Sequence, residues 1–376
     1  MKSKNLIRVV YATLRTVLGL TFVFSGFVKA VDPLGTVYKI EDYLHAFGGV
    51  FQALVPAAPY AAIALILFEF VLGVLLVFNV WTKVTVWLAL AMMLVMTPLT
   101  LYLAIANPVT DCGCFGDAIH LSNWATFWKN IVLLAIVVVL LYLRKYAYDT
   151  WAQQMNIAIF GLAFVFCGGV MAYALMHLPP IDFRPYKIGN NIPELMTVEI
   201  PEGAPVDEYE YTFIYEKDGV QQEFTLDNYP KDDSTWTFVD QRSKLVKKGY
   251  EAPQPPIHDF VLTLTDYDGT VYDLTDEILE EDSVVLVVMY KIEEADKRQA
   301  GKLNRLYENA LESGLPFYAV TGSGEHEVSA WRGETAAAYP ILSCDGVTLK
   351  TIVRANPGVV VLRQGTIVDK YNLRNR

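Results

Sequence analysis

Five apolar runs, at 9–30, 59–80, 84–106, 127–143 and 157–178, fill most of the first half of this 376-residue chain. A helix needs roughly 20 apolar residues to cross a hydrocarbon core. Within that core every backbone N–H and C=O must be satisfied inside the segment, so runs of this kind admit helices and little else. The chain is therefore expected to span a membrane five times. No small-residue cleavage site follows the first run, so it reads as a retained signal anchor. Lys2, Lys4, Arg8, Lys83, Arg144 and Lys145 fall on one side if all five runs span. That bias predicts a cytoplasmic N-terminus in an inner, multi-pass membrane protein, with the C-terminal half in the periplasm or outside.

The second half has a different chemistry. The chain carries 41 Asp and Glu against 30 Lys and Arg, a net charge of −11, and the excess acid lies beyond residue 180. Phosphate recognition needs clusters of Lys and Arg, and none is present, which argues against a nucleic-acid partner. The expected partners are membrane lipid and an exported protein or other envelope subunits.

Two charges interrupt the first two spans, Arg15 and Glu69. At about 1.5 Å rise per residue, antiparallel neighbours bring them to similar depth. Charges at such depth pair or line a polar cavity, so Arg15 and Glu69 are expected to form an intramembrane polar pair. Between these spans, Val37, Ile40, Tyr43, Leu44 and Phe47 recur at helical spacing after Asp32-Pro33. They predict an amphipathic helix on the membrane surface, beside the cysteine loop.

That loop, DCGCFGDAIH at 111–120, holds two of the four cysteines, Cys112 and Cys114. Three chemistries suit it. A disulfide between i and i+2 needs a bent backbone, which Gly113 permits, and its strained small ring would be labile and suited to thiol–disulfide exchange. The same pair with His120 and Asp111 or Asp117 supplies ligands for zinc or copper, although the Cys-x-Cys-x5-His spacing is not a usual zinc pattern. A purely structural staple would close almost no chain and gain little entropy. In the redox reading Cys112 and Cys114 are the catalytic pair, no metal is assigned, and Asp111, Asp117 and His120 tune the thiols. Carboxylates would raise a thiol pKa and a protonated His120 would lower it. Cys167, inside the fifth run, and Cys344 read as structural.

In the second half, alternation around Asp218-Gly219 and around Asp268-Gly269 predicts two hairpins. The run 283–290 reads as a buried strand, followed by a helix at 293–313, a strand at 316–322 and a hairpin turning at Gln364-Gly365. Strand, helix, strand predicts a parallel crossover. This order over 257–372 resembles the thioredoxin-like fold, with Pro357 where that fold carries its cis-proline. Where the fold's catalytic members place Trp-Cys-x-x-Cys, this chain has Met289-Tyr290-Lys291-Ile292-Glu293-Glu294. The resemblance thus implies a domain without its active-site thiols, one that binds rather than exchanges.

The stretch LGLTFVFSGFVKAVDPLGTVYKIEDYL, the intramembrane Glu69 and CGCFGD together resemble the DoxX/MauE-like membrane proteins, over roughly residues 8–146. MauE-type members are linked to disulfide formation in an exported partner, and the bundle is related to quinone-linked disulfide-forming enzymes. The resemblance implies Cys112 and Cys114 as the exchanging pair and a quinone as acceptor. No second cysteine pair lies near the first, so a complete relay within one chain is not expected. The sequence therefore predicts an all-α four-helix membrane bundle at 1–146 and one additional transmembrane helix at 147–180. A linker and β-rich segment at 181–256 and an exported α/β thioredoxin-like domain at 257–376 follow. The expected function is thiol–disulfide chemistry or electron transfer in envelope protein maturation. The alternative is a non-enzymatic scaffold whose exported domain binds a partner.

Overall fold

A computed structural model describes residues 2–109, 112–146, 150–201, 203–231, 233, 235–250, 253–266 and 268–375, without the side chains of Lys2 and Ser3. Its first half is built from helices α1 (Lys2–Val31), α2 (Pro33–Phe47), α3 (Ala58–Val77), α4 (Thr82–Ala106), α5 (Asn123–Tyr142) and α6 (Gln153–Met176). Five segments are long and apolar enough to cross a membrane: α1, α3 with the 3-10 run before it, α4, α5 and α6. Pro33 cannot continue α1, and the Asp32 carboxylate caps the new helix α2 by accepting from the Gly35 N–H at 3.1 Å.

α1 and α3 lie against each other at backbone distance. A Cβ on Gly26 would stand 2.7 Å from Phe70 N, and one on Gly73 would stand 2.5 Å from Val23 N and 2.9 Å from Gly19 O. In lipid no hydrophobic force drives helices together, so small residues that admit close van der Waals contact choose the partner and the register. Four helices share one core: Leu18 and Phe22 of α1, Leu72 and Leu76 of α3, Ala89 and Met93 of α4, Val137 and Leu140 of α5. Helix α6 packs in a second core, where Ala163, Cys167 and Met171 meet Ile66, Phe70 and Val71. Leu20, Val95, Ile105, Leu162 and Val165 remain exposed on these helices, as a lipid-facing surface requires.

Residues 191–259 form a compact unit of their own. It holds α7 (Ile192–Met196) and an antiparallel sheet of β1 (Glu208–Lys217), β2 (Val220–Thr225) and β3 (Thr237–Lys247), in the order β2-β1-β3. Asp218 and Gly219 turn the hairpin, both at positive φ (52° and 80°), the geometry that suits an Asp-Gly two-residue turn. Tyr215 packs its ring edge-on against Phe224 and Phe238 on the neighbouring strands.

The other unit joins 1–190 with 260–376. Its C-terminal part runs β4 (Thr263–Thr265), β5 (Val271–Asp273), α8 (Thr275–Glu280), β6 (Val284–Met289), α9 (Ala300–Glu312), β7 (Phe317–Thr321), α10 (Glu325–Thr335), β8 (Ile341–Ser343), α11 (Gly346–Ile352), β9 (Gly358–Arg363) and β10 (Thr366–Asn372). One sheet orders them β10-β9-β6-β7-β8-β4-β5. β6 is parallel to β7 and antiparallel to β9, and every residue of β6 is buried. The helix expected from 293 begins only at Ala300. Two short 3-10 turns precede it, and the Asp296 side chain holds the second by accepting from the Arg298 N–H at 3.2 Å. A short polar side chain bonding its own backbone competes with regular helix.

The glycine contact yields a prediction. Gly73→Ala, whose Cβ has no room, is expected to destabilise by roughly 2 kcal/mol or more, as overpacking does. Gly161→Ala, where nothing lies within 4 Å, should change stability by less than about 0.5 kcal/mol. Thermal midpoints of the two variants in detergent, followed by size-exclusion chromatography, would compare them.

Candidate functional site

The loop between α4 and α5 is clasped at both ends. α4 stops at Asn107, in the left-handed region at φ 45°, and the Asn123 amide donates to Asn107 Oδ1 (2.9 Å) and Val109 O (2.8 Å). Inside the clasp Cys112 and Cys114 are joined as a disulfide with their Cα atoms 5.4 Å apart, inside the usual range of roughly 4.4–6.8 Å. Gly113 makes the bend at φ 60°. The Cys114 N–H donates to Cys112 Sγ at 3.2 Å, and Thr126 Oγ1 of α5 lies 3.5 Å from the same sulfur. Cys112 is 9% exposed and Cys114 is half-buried.

Beneath the loop is a buried polar chain. The Ser25 hydroxyl donates to Cys114 O at 2.6 Å, and Lys29 Nζ donates to Ser25 Oγ at 3.0 Å and to Glu69 Oε2 at 2.6 Å. Lys29, Glu69, Lys129 and Asn130 line a cavity of about 40 Å³ that reaches Cys114 and Phe115. Lys129 Nζ sits 4.5 Å from the centre of the Phe115 ring. This corrects the expected intramembrane pair: Glu69 bonds Lys29 and not Arg15. Arg15 is buried, but on α1 it lies 14 residues before Lys29, roughly 21 Å along the axis. Where α1 meets α3, Gly26 faces Phe70 and Gly73 faces Val23, a register that puts Glu69 near the far end of α1. Lys29 stands near the end of the first apolar run, where it does not register as an intramembrane charge. The available signal was Ser25-x3-Lys29 on one helical face, directly before the Asp-Pro break.

The flank of the loop is formed by α2 and by the C-terminal part. Tyr43 donates to Cys112 O at 2.5 Å, and the Lys39 stem packs on Gly113. Arg354, which follows α11, reaches Asp32 Oδ2 at 2.9 Å and Asp117 Oδ2 at 3.2 Å, and donates to Lys350 O at 2.6 Å. Burial opposes the Arg354 charge, but Asp32 and Asp117 raise its pKa above the usual value. The Tyr38 ring meets Tyr290 edge-on with centroids 6.4 Å apart, and carries Lys350 Nζ at 4.5 Å and the Arg354 guanidinium at 5.3 Å. Burial, then the neighbouring Tyr290, pushes the Tyr38 hydroxyl well above the tyrosine range. Between the loop and these groups lies a cavity of about 310 Å³. Asp182 and Arg184 line its edge. Asp182 pairs with Arg184 at 2.7 Å and Lys370 at 2.5 Å. Burial raises the Asp182 pKa, yet the two cations outweigh it and hold the carboxyl below its usual range. Burial, helped by Arg184, draws Lys370 down to about 8.

Of the remaining predicted residues, Asp111 lies outside the described residues. Asp117 is engaged by Arg354, and His120 is exposed. Among the described residues no three His, Cys, Asp or Glu side chains converge as a metal site. Cys167 and Cys344 are buried and lie outside the disulfide. The Asn356–Pro357 peptide is cis.

Residues 7–143, which hold most of α1 and all of α2 to α5, match the family model of the methylamine utilisation protein MauE. That match covers just over a third of the chain. Residues 209–248, within the three-stranded unit, match a domain of unknown function, DUF8463. No curated protein matches the sequence. Among solved structures, one provisionally described as a protein disulfide isomerase from Bacteroides thetaiotaomicron shares 20% identity, at a TM-score of 0.26. The similarity covers 31% of this chain and 77% of that one.

Two predictions follow from the charges. Glu69→Leu alone strands the Lys29 ammonium in an apolar bundle and is expected to cost about 3–5 kcal/mol, whereas Lys29→Met/Glu69→Leu together should recover most of that loss. Detergent melts of the single and double variants read the difference. For Asp182, the folded pKa is depressed, so its contribution to stability is present above the unfolded carboxylate value of about 3.9 and is lost as pH falls through the folded value. The melting gap between the parent and Asp182→Asn should therefore be widest near neutral pH and close at the acid end. A gap that stays constant with pH would contradict the pairing.

Proposed function

We propose that the chain is a membrane thiol–disulfide exchange protein of envelope protein maturation, with the Cys112–Cys114 disulfide as its exchanging pair. The observation that carries this reading is the disulfide itself, held in a clasped loop above a buried Lys29–Glu69 pair. A ring this small contributes little by restraining the unfolded chain, so a staple is a weak reason to maintain it. In this reading the N-terminus is cytoplasmic, and the loop and C-terminal part face the exported side. The C-terminal part is a thioredoxin-like domain: the buried strand β6, the parallel β7 and the antiparallel β9–β10 hairpin support that assignment.

The chemistry follows from the asymmetry of the two sulfurs. Cys114 is the more accessible, so an incoming protein thiolate attacks Cys114 Sγ and forms a mixed disulfide. The Cys112–Cys114 bond breaks and its electron pair leaves on Cys112 Sγ, where the Cys114 N–H and the Thr126 hydroxyl receive the charge. The second thiol of the substrate, deprotonated, then attacks the mixed disulfide. The substrate leaves oxidised, Cys112 and Cys114 are left reduced, and two protons accompany the two electrons. Return to the disulfide needs a two-electron acceptor. The resemblance implies a quinone, and Leu65, Met96, Leu99 and Leu103 give the larger cavity, which Lys29 and Tyr43 also line, apolar lining with room for such a ring.

The second reading is a scaffold that binds an exported partner without exchange. The absence of cysteine at 289–294 favours it. Mass-tag alkylation of native membranes, before and after mild reduction, separates the two: a disulfide opened by low dithiothreitol supports exchange, and two permanently free thiols leave the scaffold. Exchange through Cys114 further predicts that Cys112→Ser, whose remaining Cys114 thiolate attacks a substrate disulfide and releases one substrate thiolate, traps roughly tenfold more mixed disulfide with an oxidised, disulfide-bonded protein than Cys114→Ser does. Equal trapping would refute the assigned roles.

A further inference from the structure

We propose that Asp32, Asp117 and Tyr38 form an arginine-receptor site at the disulfide end of the membrane bundle, and that the chain's own C-terminal domain fills it with Arg354, closing the disulfide to protein thiols. The purpose of the closure rests on the exchange reading; the site itself does not.

The receptor is built before the arginine arrives. Asp32 is oriented by its own duty as the cap of α2, where it accepts the Gly35 N–H. Asp117 is placed by the turn that Gly113 and Gly116 allow in the cysteine loop. Gly35 leaves the space for the guanidinium: a Cβ there would stand 2.9 Å from Asp32 Oδ2 and 3.1 Å from Arg354 Nη2. Tyr38, one turn further along α2, supplies an aromatic face at 5.3 Å. Two carboxylates and a ring around one apolar-lined gap are the elements that recognise a planar cation, and lysine would satisfy them poorly.

The edge of the domain that docks is the one carrying Tyr290 and the cis-Pro357 loop, and the two sides meet through Tyr290, Lys350 and Arg354 on Tyr38 and the aspartates. The residues 181–190 travel with the domain: Arg184 donates to Thr351 O at 3.0 Å, Lys370 donates to Tyr186 O at 2.7 Å, and the Gly189 N–H donates to Ile367 O at 2.8 Å. The covalent tether to the bundle is thus the end of α6, at Leu178-Pro179-Pro180. The gap left over the sulfurs, about 310 Å³, matches a small molecule; a folded protein presenting a thiol needs a standard interface patch instead. Protein access to Cys114 therefore requires the Arg354 latch to release.

The test uses the full chain in nanodiscs. The rate at which the Cys112–Cys114 disulfide is reduced is followed by mass tagging, once with dithiothreitol and once with a reduced dithiol protein such as thioredoxin. Arg354→Gln removes the latch, Asp117→Asn removes half of the receptor from outside the domain, and Gly35→Leu fills the seat without changing charge. The latch predicts a rise of roughly tenfold with thioredoxin in Arg354→Gln and Gly35→Leu, a smaller rise in Asp117→Asn, and less than about threefold change with dithiothreitol. Equal thioredoxin rates in parent and variants would overturn the proposal. So would a rise shared equally by dithiothreitol, which would locate the change in the loop itself. The readout is access to the sulfurs, so these results are independent of whether the disulfide turns over in the cell. Failure of the exchange reading would show instead as free thiols in untreated membranes.

Discussion

The arrangement depends on one contact, the backbone-distance packing of α1 on α3 at Gly19, Gly26 and Gly73. It sets how far one helix has slid past the other, and through that slide it delivers Glu69 to Lys29. An ion pair at this depth has lost most of its hydration, and attraction alone rarely repays that loss. Here each partner is held by more than the other: Lys29 also bonds Ser25, and Ser25 bonds the carbonyl of Cys114. The charge pair therefore does double service, stabilising a close helix contact and anchoring the floor of the cysteine loop.

The loop shows how little of its shape comes from the disulfide. Asn123 ties α4's end to the loop, Tyr43 and Ser25 hold the carbonyls of Cys112 and Cys114, and Gly113 supplies the left-handed turn. None of these bonds uses a sulfur atom, so none requires the disulfide to be closed. A scaffold that keeps two thiols together through both redox states lowers the reorganisation needed for exchange, which is the physical case for the proposed chemistry. The sulfurs are not equivalent in it. Cys112 is buried beside two donors; both cysteines line the larger cavity, and Cys114 also reaches the smaller one.

Across the loop, a buried guanidinium joins parts of the chain that are far apart in sequence. Arg354 would be expensive to bury with one partner, and Asp32, Asp117 and the Lys350 carbonyl share its donors. The neighbouring Asp182, Arg184 and Lys370 cluster repeats the pattern with the charges inverted, one carboxylate between two cations. Both clusters sit at the boundary where helices give way to the sheet, and the surplus carboxylate of the first is opposite in sign to the surplus cation of the second.

What the residues determined alone was most of what is short in range. Apolar length set five spanning segments, Asp32-Pro33 set the break before α2, and Asp218-Gly219 and Gln364-Gly365 set two turns with paired positive φ. Gly113 between two cysteines set a loop able to close on itself, and the unbroken apolar run at β6 set a fully buried strand. The late start of α9 escaped because Asp296 bonds its own backbone, a local competition that apolar periodicity does not register. Tertiary structure alone decided who pairs with whom. Helical periodicity states which face is apolar but not how far two helices slide, and a slip of one turn, about 5.4 Å, exchanges one charge partner for another. Glu69 was legible as a buried charge, its partner was not. Arg354 meets Asp32 across 322 positions and Asp117 across 237, separations that leave no trace in local pattern.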